Sequence, residues 1–444
     1  MLLTIEKLIY GGDGLARLPV ASPAAPKDDG RGKAAFVPFV LASEKIEASL
    51  TEQKPGFARA HADSIVEPSP QRIQPGCQYF TRCGGCHYQH AAYEHQLEIK
   101  KEILRESLRR LAKLDLPFDI EVHASPPWNY RNRSRLQVQA QTGSAFAIGY
   151  FKMASHELLP VEECPISSPL INRGLAFLWQ NGHAGKVPQG VREIEFFANA
   201  DDTQVLLEIG CGRDARRASV REWAEELRSV MPQIAGVVAF REANPGDKKA
   251  GVPEILVTVG TPHITYQTQR AAYRVSSGSF FQTNRHLTDE LVNIVTAGQS
   301  GKLALDLYSG AGLFSTALAC DFDHIVSVES SQTSSGDLTY NLPSNGEVVR
   351  ATTEQYLARA ENSGRASKPD LAVVDPPRSG LGERVARSLA NLGAPRITYV
   401  SCDPATLARD LVPLLASGYR VDQVHLVDLF PQTYHLESIV HLVR

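Results

Sequence analysis

From about residue 275 onward the chain alternates short apolar β-type runs with helix-like stretches. The runs are LALDLYS, HIVSVES, EVVRA, LAVVDPP, RITYVSC, RVDQVHLVDLF and ESIVHLV. Few architectures accept this pattern. Strands buried on both faces and joined by helices pack as a doubly wound α/β layer with a mostly parallel sheet. Such sheets bind ligands outside the carboxyl ends of their strands, so the residues at those ends carry the chemistry.

Two loops compete for a ligand there, LLEIGCGRD (206–214) and LALDLYSGAGLFS (303–315). In each, glycines let the backbone approach a ligand at a helix N-terminus. Downstream context favours the second. Its next strand ends in Glu329, placed to accept hydrogen bonds from ribose hydroxyls, and a third ends in Asp375-Pro376-Pro377. Asp306, Gly310, Gly312, Glu329 and Asp375 therefore gather at successive strand ends. The first loop has Glu242 behind a strand and nothing like Asp-Pro-Pro, so Gly210 and Gly212 read as turn glycines. Gly310-X-Gly312 with a strand-end acid and Asp-Pro-Pro resembles the S-adenosylmethionine site of class I methyltransferases. Arg378 follows the prolines, so no aromatic ring stands there to stack on an exocyclic amine.

Another nucleophile has to be made reactive, and ITYVSCDPATLARDL (397–411) offers one. Cys402 ends an apolar run and Pro404 opens a helix-like segment. A thiolate adding to carbon 6 of uracil makes carbon 5 nucleophilic toward a methyl group, and a base must then remove the carbon 5 proton. A free thiol titrates near 8.5, so the expectation is that the helix starting near Ala405 favours the thiolate through its dipole. LFPQTYHLESIVHL supplies two candidate bases, Glu437 and His435. Cys402 as a buried structural thiol is the plainer alternative.

The earlier residues read differently. LLTIEKLIY, KAAFVPFV and EKIEASLTEQ look like short strands, broken by Gly11-Gly12 and Asp13-Gly14, and suggest a small barrel. PVASPAAPKDDGRGK is a loop. Residues 91–114 carry Leu97, Ile103, Leu104, Leu108 and Leu111 at helical spacing, with a basic polar face. Residues 119–274 hold several β-like runs. In WNYRNRSRLQV, Arg131, Arg133 and Arg135 share one face of a strand. That row can track an RNA backbone or lie solvated on an edge strand.

Composition narrows the class. The 444 residues exceed one ordinary core, and 21% charged with 43% hydrophobic residues is a globular mixture. No run approaches the ~18 apolar residues of a membrane span. The N-terminus has Glu6 and Lys7 early, with no signal-peptide core, so a cytoplasmic protein is expected. Net charge is −3, so nucleic acid would be held by local patches. Seven cysteines are unevenly placed: Cys77, Cys83 and Cys86 cluster, and the rest are scattered. Clustered thiols in a reducing compartment point to metal or catalysis. By spacing, these three with a distant cysteine suit a four-cysteine zinc site or an iron–sulfur cluster equally.

Together these motifs resemble the RNA uracil-5-methyltransferases, which make 5-methyluridine in 23S ribosomal RNA or tRNA. IEKLIYGGDGLARL with KPGFARA resembles the family's TRAM RNA-binding barrel, and GCQYFTRCGGCHYQHAAYEHQLEIK its iron–sulfur segment. SFFQTNRHL, LDLYSGAGLFS, VVDPPRSGL, YVSCDPATLARDL and LFPQTYHLES resemble its catalytic motifs. The resemblance implies a multidomain chain: a barrel over 1–62, an iron–sulfur segment with a β-rich domain over 63–274, and a class I Rossmann-like methyltransferase domain over 275–444. It implies Cys402 as nucleophile and Glu437 as base. Gln282, Tyr308, Glu329 and Asp375, with Gly310 and Gly312, would hold S-adenosylmethionine. Cys77, Cys83, Cys86 and Cys164 would hold a [4Fe-4S] cluster. The RNA is expected to be 23S rRNA, with a tRNA uridine as the alternative, and a monomer is the default expectation. Ser309, Leu313 and Asp403 depart from the family's usual residues. The rival from another class is a non-catalytic iron–sulfur RNA-binding protein.

Overall fold

The computed structural model describes residues 1–19, 32–140, 146–241, 254–363 and 368–444. Most of the Pro- and Ala-rich stretch, and Glu242, lie outside them. The chain begins with a closed barrel of β1 (Leu2–Leu8), β2 (Asp13–Arg17), β3 (Ala34–Pro38), β4 (Lys45–Gln53) and β5 (Phe57–Glu67), in the order β1-β2-β3-β5-β4. Alternating apolar residues fill it, among them Leu3, Ile5, Val37 and Ile46. Its last strand runs past the expected boundary at 62. An irregular segment with three of the cysteines leads to α1 (Tyr93–Leu111) and the short strand β6 (Glu121–His123).

The next unit is a seven-stranded sheet. It contains β7 (Arg133–Gln139), β8 (Ala147–Phe151), β9 (Leu158–Pro160), β10 (Val191–Ala198), β11 (Val205–Cys211), β12 (Ile234–Arg241) and β13 (Glu254–Gly260), in the order β13-β12-β11-β10-β7-β8-β9. Two helices, α2 (Pro169–His183) and α3 (Arg217–Val230), share its core. The loop rejected as a ligand site is strand here: Gly210 sits inside β11, and a β-carbon on Gly212 would meet Asp214. A hairpin of β14 (His263–Gln267) and β15 (Ala272–Ser276) follows.

The last unit holds α4 (Thr288–Thr296), β16 (Gly301–Leu307), α5 (Leu313–Leu318), β17 (Phe322–Glu329), α6 (Gln332–Asn341), β18 (Gly346–Arg350) and α7 (Thr353–Ser363). It continues with β19 (Leu371–Val374), α8 (Gly382–Leu392), β20 (Arg396–Ser401), α9 (Pro404–Ala416), β21 (Arg420–Val427) and β22 (Glu437–Val443). The strands form an eight-stranded sheet, β18-β17-β16-β19-β20-β22-β21-β6, parallel except for β22. The strand order reverses between β16 and β19, which opens the ligand crevice there.

The elements cross the boundaries drawn from sequence. β6 joins the catalytic sheet beside β21, and α1 packs in one core with Leu407 and Leu411 of α9. Leu8 and Leu41 of the barrel unit enter that same core. α1 also turns differently from expectation: Leu111 is 52% exposed, and the buried stripe opens with Gln96, Ile99 and Lys100. The basic face is largely paired, Lys101 and Arg105 both reaching Asp119.

The arginine row is corrected too. β7 is an interior strand between β10 and β8. Arg133 pairs with buried Glu195 and donates to the Ser279 carbonyl at 2.6 Å; Arg135 Nε lies 2.6 Å from Glu195 Oε2. Arg133 is therefore committed inside the protein, whereas Arg135, paired to the same glutamate, stays 57% exposed.

Candidate active site

The loop after β16 is held by backbone geometry that side chains resist. Tyr308 has φ 63°, Gly310 φ 55° and Gly312 φ 94°. Left-handed tyrosine is costly, and such strain persists where surrounding structure over-determines it. Here the Ser309 hydroxyl donates to the Asp306 carbonyl at 2.8 Å, and Ser315 donates to the buried Asp306 carboxylate. Glu329 closes the loop from β17. Its Oε2 accepts from Gly310 N–H at 2.9 Å and its Oε1 from Ser331 N–H at 2.6 Å. A crevice there is lined by Phe281, Gln282, Tyr308, Gly310, Leu313 and Asp375. Gly312 caps α5 beside it. Leu313, the departure from the family pattern, contributes an apolar wall and uses its carbonyl to accept from Tyr273. Burial pushes the Asp375 carboxyl up to about 7, and the charge of Asp306 adds to this. A cation in the crevice would reverse that shift.

Cys402 and Glu437 come together through sheet register. β20 and β22 are antiparallel with Ser401 opposite Ser438. Cys402 directly follows the last paired residue of β20 and Glu437 directly precedes Ser438, so the end of the ladder brings the two to one place, where the Glu437 charge acts on the thiol. Proline at the first helical position and Asp403 at the N-cap end the strand sharply.

The expected help from the helix N-terminus is not found. The Asp403 carboxylate takes the Ala405 and Thr406 amides, each at 2.9 Å. Burial, then the charges of Glu437 and Asp375, push the Cys402 thiol up to about 12. It rests as the thiol. Burial and then Asp375 also raise Glu437 well above the carboxylate range. His435 moves the other way: burial, with the Arg378 guanidinium 3.4 Å from its ring nitrogens, pushes it down to about 3. An imidazole so reluctant to bind a proton is the weaker base. It follows that alkylation of Cys402 in cofactor-free protein should rise about tenfold per pH unit from pH 7 to 9, without a plateau. Peptide mass spectrometry after timed iodoacetamide exposure checks this; a plateau below pH 8 would contradict it.

The barrel reaches this place. Tyr10, in the turn between β1 and β2, donates its hydroxyl to the Cys402 carbonyl at 3.1 Å. Its ring meets Tyr434 edge-on at 5.5 Å, and Tyr434 also contacts His87 at 4.6 Å and His435 at 4.2 Å. Barrel, cysteine segment and catalytic sheet thus share one aromatic wall.

The segment leading to Glu437 is braced from α1 by residues that sequence reading passed over. Lys100 and Asp428 are fully buried, with Nζ 2.6 Å from Oδ1, and Lys100 also donates to the Phe430 carbonyl at 2.9 Å. Gln96 and Gln432 exchange two hydrogen bonds, 3.0 and 2.9 Å. The signal was present: Gln96 and Lys100 fall four apart, on the stripe that continues to Ile103 and Leu104. Lys100→Ala strands the Asp428 charge and is expected to destabilise the protein by ~3–5 kcal/mol, read from the denaturant midpoint.

Cys77, Cys83, Cys86 and Cys164 line one cavity of about 270 Å³, whose wall also includes Phe430, Thr433 and His435. Burial pushes Cys83 up to about 11 and Cys86 further, and the Cys164 thiol adds to both shifts. Such thiols gain by coordinating a cation. Among the described residues, no three of these sulfurs lie within 4.8 Å of one another. A single zinc ion would hold four sulfurs about 3.8 Å apart. Cys211 and Cys320 lie apart from this cavity, Cys211 buried in the core of the seven-stranded sheet.

A sheet of this order, with a glycine-bearing loop, a strand-end glutamate and Asp-Pro-Pro at its switch point, defines a class I methyltransferase that uses S-adenosylmethionine. The chain matches the family described as tRNA (uracil-5-)-methyltransferase over residues 92–444 and belongs to it. It is an S-adenosylmethionine-dependent RNA methyltransferase. An RNA methyltransferase of Aquifex aeolicus, otherwise uncharacterized, is 31% identical over 99% of this chain and 97% of its own. Another from Caldanaerobacter subterraneus subsp. tengcongensis is 30% identical over 99% and 97%. In fold, the chain resembles Pyrococcus abyssi tRNA (uracil-54, C5)-methyltransferase in complex with S-adenosyl-L-homocysteine: TM-score 0.74, 24% identity, 100% of both chains covered. Among the described residues no helix is long and apolar enough to cross a membrane.

Proposed function

We propose that this enzyme methylates carbon 5 of a uridine in 23S rRNA, with Cys402 as nucleophile and Glu437 as general base. The observation that carries this reading is that the Ser401–Ser438 end of the β20–β22 ladder brings Cys402 and Glu437 together, close enough for the charges of Glu437 and Asp375 to act on the thiol. S-adenosylmethionine supplies the methyl group when bound, and Gln282, Tyr308, Gly310, Gly312, Glu329 and Asp375 are the residues that would hold it. The Cys402 thiolate adds to carbon 6 of a uracil taken out of its stack, and carbon 5 becomes the nucleophile. After methylation Glu437 accepts the carbon 5 proton, the bond to carbon 6 breaks, and Cys402 is released. Burial, and then Asp375, raise this carboxyl, which makes its carboxylate a stronger proton acceptor.

Cys77, Cys83, Cys86 and Cys164 would hold a [4Fe-4S] cluster, a reading supported by a sulfur spacing too wide for one zinc ion. The cluster would stiffen the wall it shares with Phe430, Thr433 and His435 and so orient RNA. The barrel, as a TRAM-like module, would bind RNA next to Cys402, which Tyr10 already touches. A tRNA uridine is the second reading, favoured by the description of the matched family.

The test is methyl transfer from labelled S-adenosylmethionine to unmodified total RNA, with the RNA separated by size and digested to nucleosides. Label is expected in 5-methyluridine from 23S rRNA. Label in tRNA alone would keep the chemistry and replace the target; no label, with cofactor bound, would favour the non-catalytic reading.

A further inference from the structure

β6 is only three residues long and lies at the sheet edge, paired to β21 alone. Two of its residues, Glu121 and His123, meet His425 of β21 and Glu290 of α4 there. His123 Nδ1 lies 2.8 Å from Glu290 Oε1. A carboxylate only accepts, so Nδ1 is the donor there and Nε2 is the nitrogen left to face a metal. That nitrogen faces His425 Nδ1 at 3.1 Å. Glu121 reaches both rings, its Oε1 3.8 Å from His123 Nε2 and its Oε2 3.4 Å from His425 Nδ1. Among the described residues, this is the one place where three such donor groups lie within 4.8 Å of one another.

These separations are those of a coordination shell. A tetrahedral divalent ion with bonds of ~2.0–2.2 Å sets its donor atoms about 3.3–3.6 Å apart. The two nitrogens at 3.1 Å, and the nearer Glu121 oxygen to each at 3.4 and 3.8 Å, lie about that range. Glu290 on the far nitrogen of His123 is the outer-shell carboxylate that fixes ring orientation in such sites. A cavity of about 480 Å³ adjoins the three donors and leaves room for a water ligand.

We propose that Glu121, His123 and His425 bind one divalent zinc-class ion, oriented by Glu290, which clamps β6 to β21. The ligand set of two imidazoles and a carboxylate suits zinc, cobalt(II) and nickel(II). The clamp would stiffen the base of the catalytic loop. The His123 carbonyl accepts from Asp428 N–H at 3.0 Å, and Asp428 is the residue that holds Lys100. This site shares no residue with the cysteine cavity or the cofactor crevice.

Cobalt(II) distinguishes this site from the cysteines, because thiolate ligands add intense charge-transfer bands that nitrogen and oxygen ligands lack. Titration of the full-length protein with cobalt(II) should yield d–d bands at one equivalent without new thiolate bands. Glu290→Gln should weaken that binding ~10–100-fold, and His123→Ala should abolish it. Glu121 is exposed, so Glu121→Gln tests the site without disturbing the core; zinc should raise the melting temperature of the wild type and not of this variant. Absence of a saturable d–d signal in the wild type, or equal cobalt uptake by wild type, Glu121→Gln and His123→Ala, would overturn the assignment.

Discussion

Cys402→Ala is expected to abolish methyl transfer, by at least ~10⁴-fold, the scale on which loss of a covalent nucleophile acts. It should also abolish covalent capture of RNA carrying 5-fluorouridine. Fluorine at carbon 5 cannot be abstracted as a proton is, so the wild type should stall as a protein–RNA adduct visible on a denaturing gel. Alanine removes only the sulfur. The Tyr10 hydroxyl bonds the backbone carbonyl of residue 402, and Asp403 still caps α9, so the local structure should persist. Cofactor binding serves as the control and should be unchanged. An adduct formed by Cys402→Ala would sink the assignment of the nucleophile.

Glu437→Gln should separate capture from release. Glutamine keeps the shape of the side chain but takes no proton, so turnover should fall ~10²–10⁴-fold while addition to carbon 6 continues. RNA with ordinary uridine should then accumulate as a methylated adduct. A second effect comes from electrostatics: Glu437 is the largest charge contribution raising the Cys402 thiol. Removing it lowers that thiol's pKa and increases the thiolate fraction at a given pH. Cys402 should therefore be alkylated faster in Glu437→Gln than in wild type at alkaline pH, where the wild-type carboxyl is ionised. Slower alkylation together with unimpaired turnover would leave His435 as the base to examine, despite a pKa pushed down to about 3. For the wild type the sign is common to both groups. Both pKa values are raised, so the reactive thiolate and carboxylate both grow as pH rises, and the rate should rise with pH on the alkaline side of neutrality.

The two effects bear on how the site is held. Cys402 and Glu437 are presented by neighbouring strands, whose register is stiff. The segment before Glu437 is an irregular loop, tied down by Lys100 and Gln96 of α1. Variants in this brace should alter stability and positioning together, while variants of Cys402 or Glu437 alter chemistry alone.

Strand–helix alternation, the choice between the two glycine loops, and the strand-end positions of Glu329, Asp375 and Cys402 were all legible in the sequence. Each depends on periodicity or on neighbours a few residues away, and such local rules survive without knowledge of the fold. The barrel was legible for the same reason, from short alternating strands and glycine turns. Tertiary structure alone decided that α1 and β6 serve the catalytic sheet, since their partners Asp428, Gln432 and His425 lie some three hundred residues downstream. It also gave Arg133 and Arg135 carboxylate partners that the local sequence does not show, because those glutamates stand on another strand. It reversed the expectation for Cys402. A helix N-terminus is visible in sequence, but the burial and carboxylates that outweigh it come from three separate strand ends. The charge state of a group depends on everything packed around it, and packing is what a linear pattern does not carry.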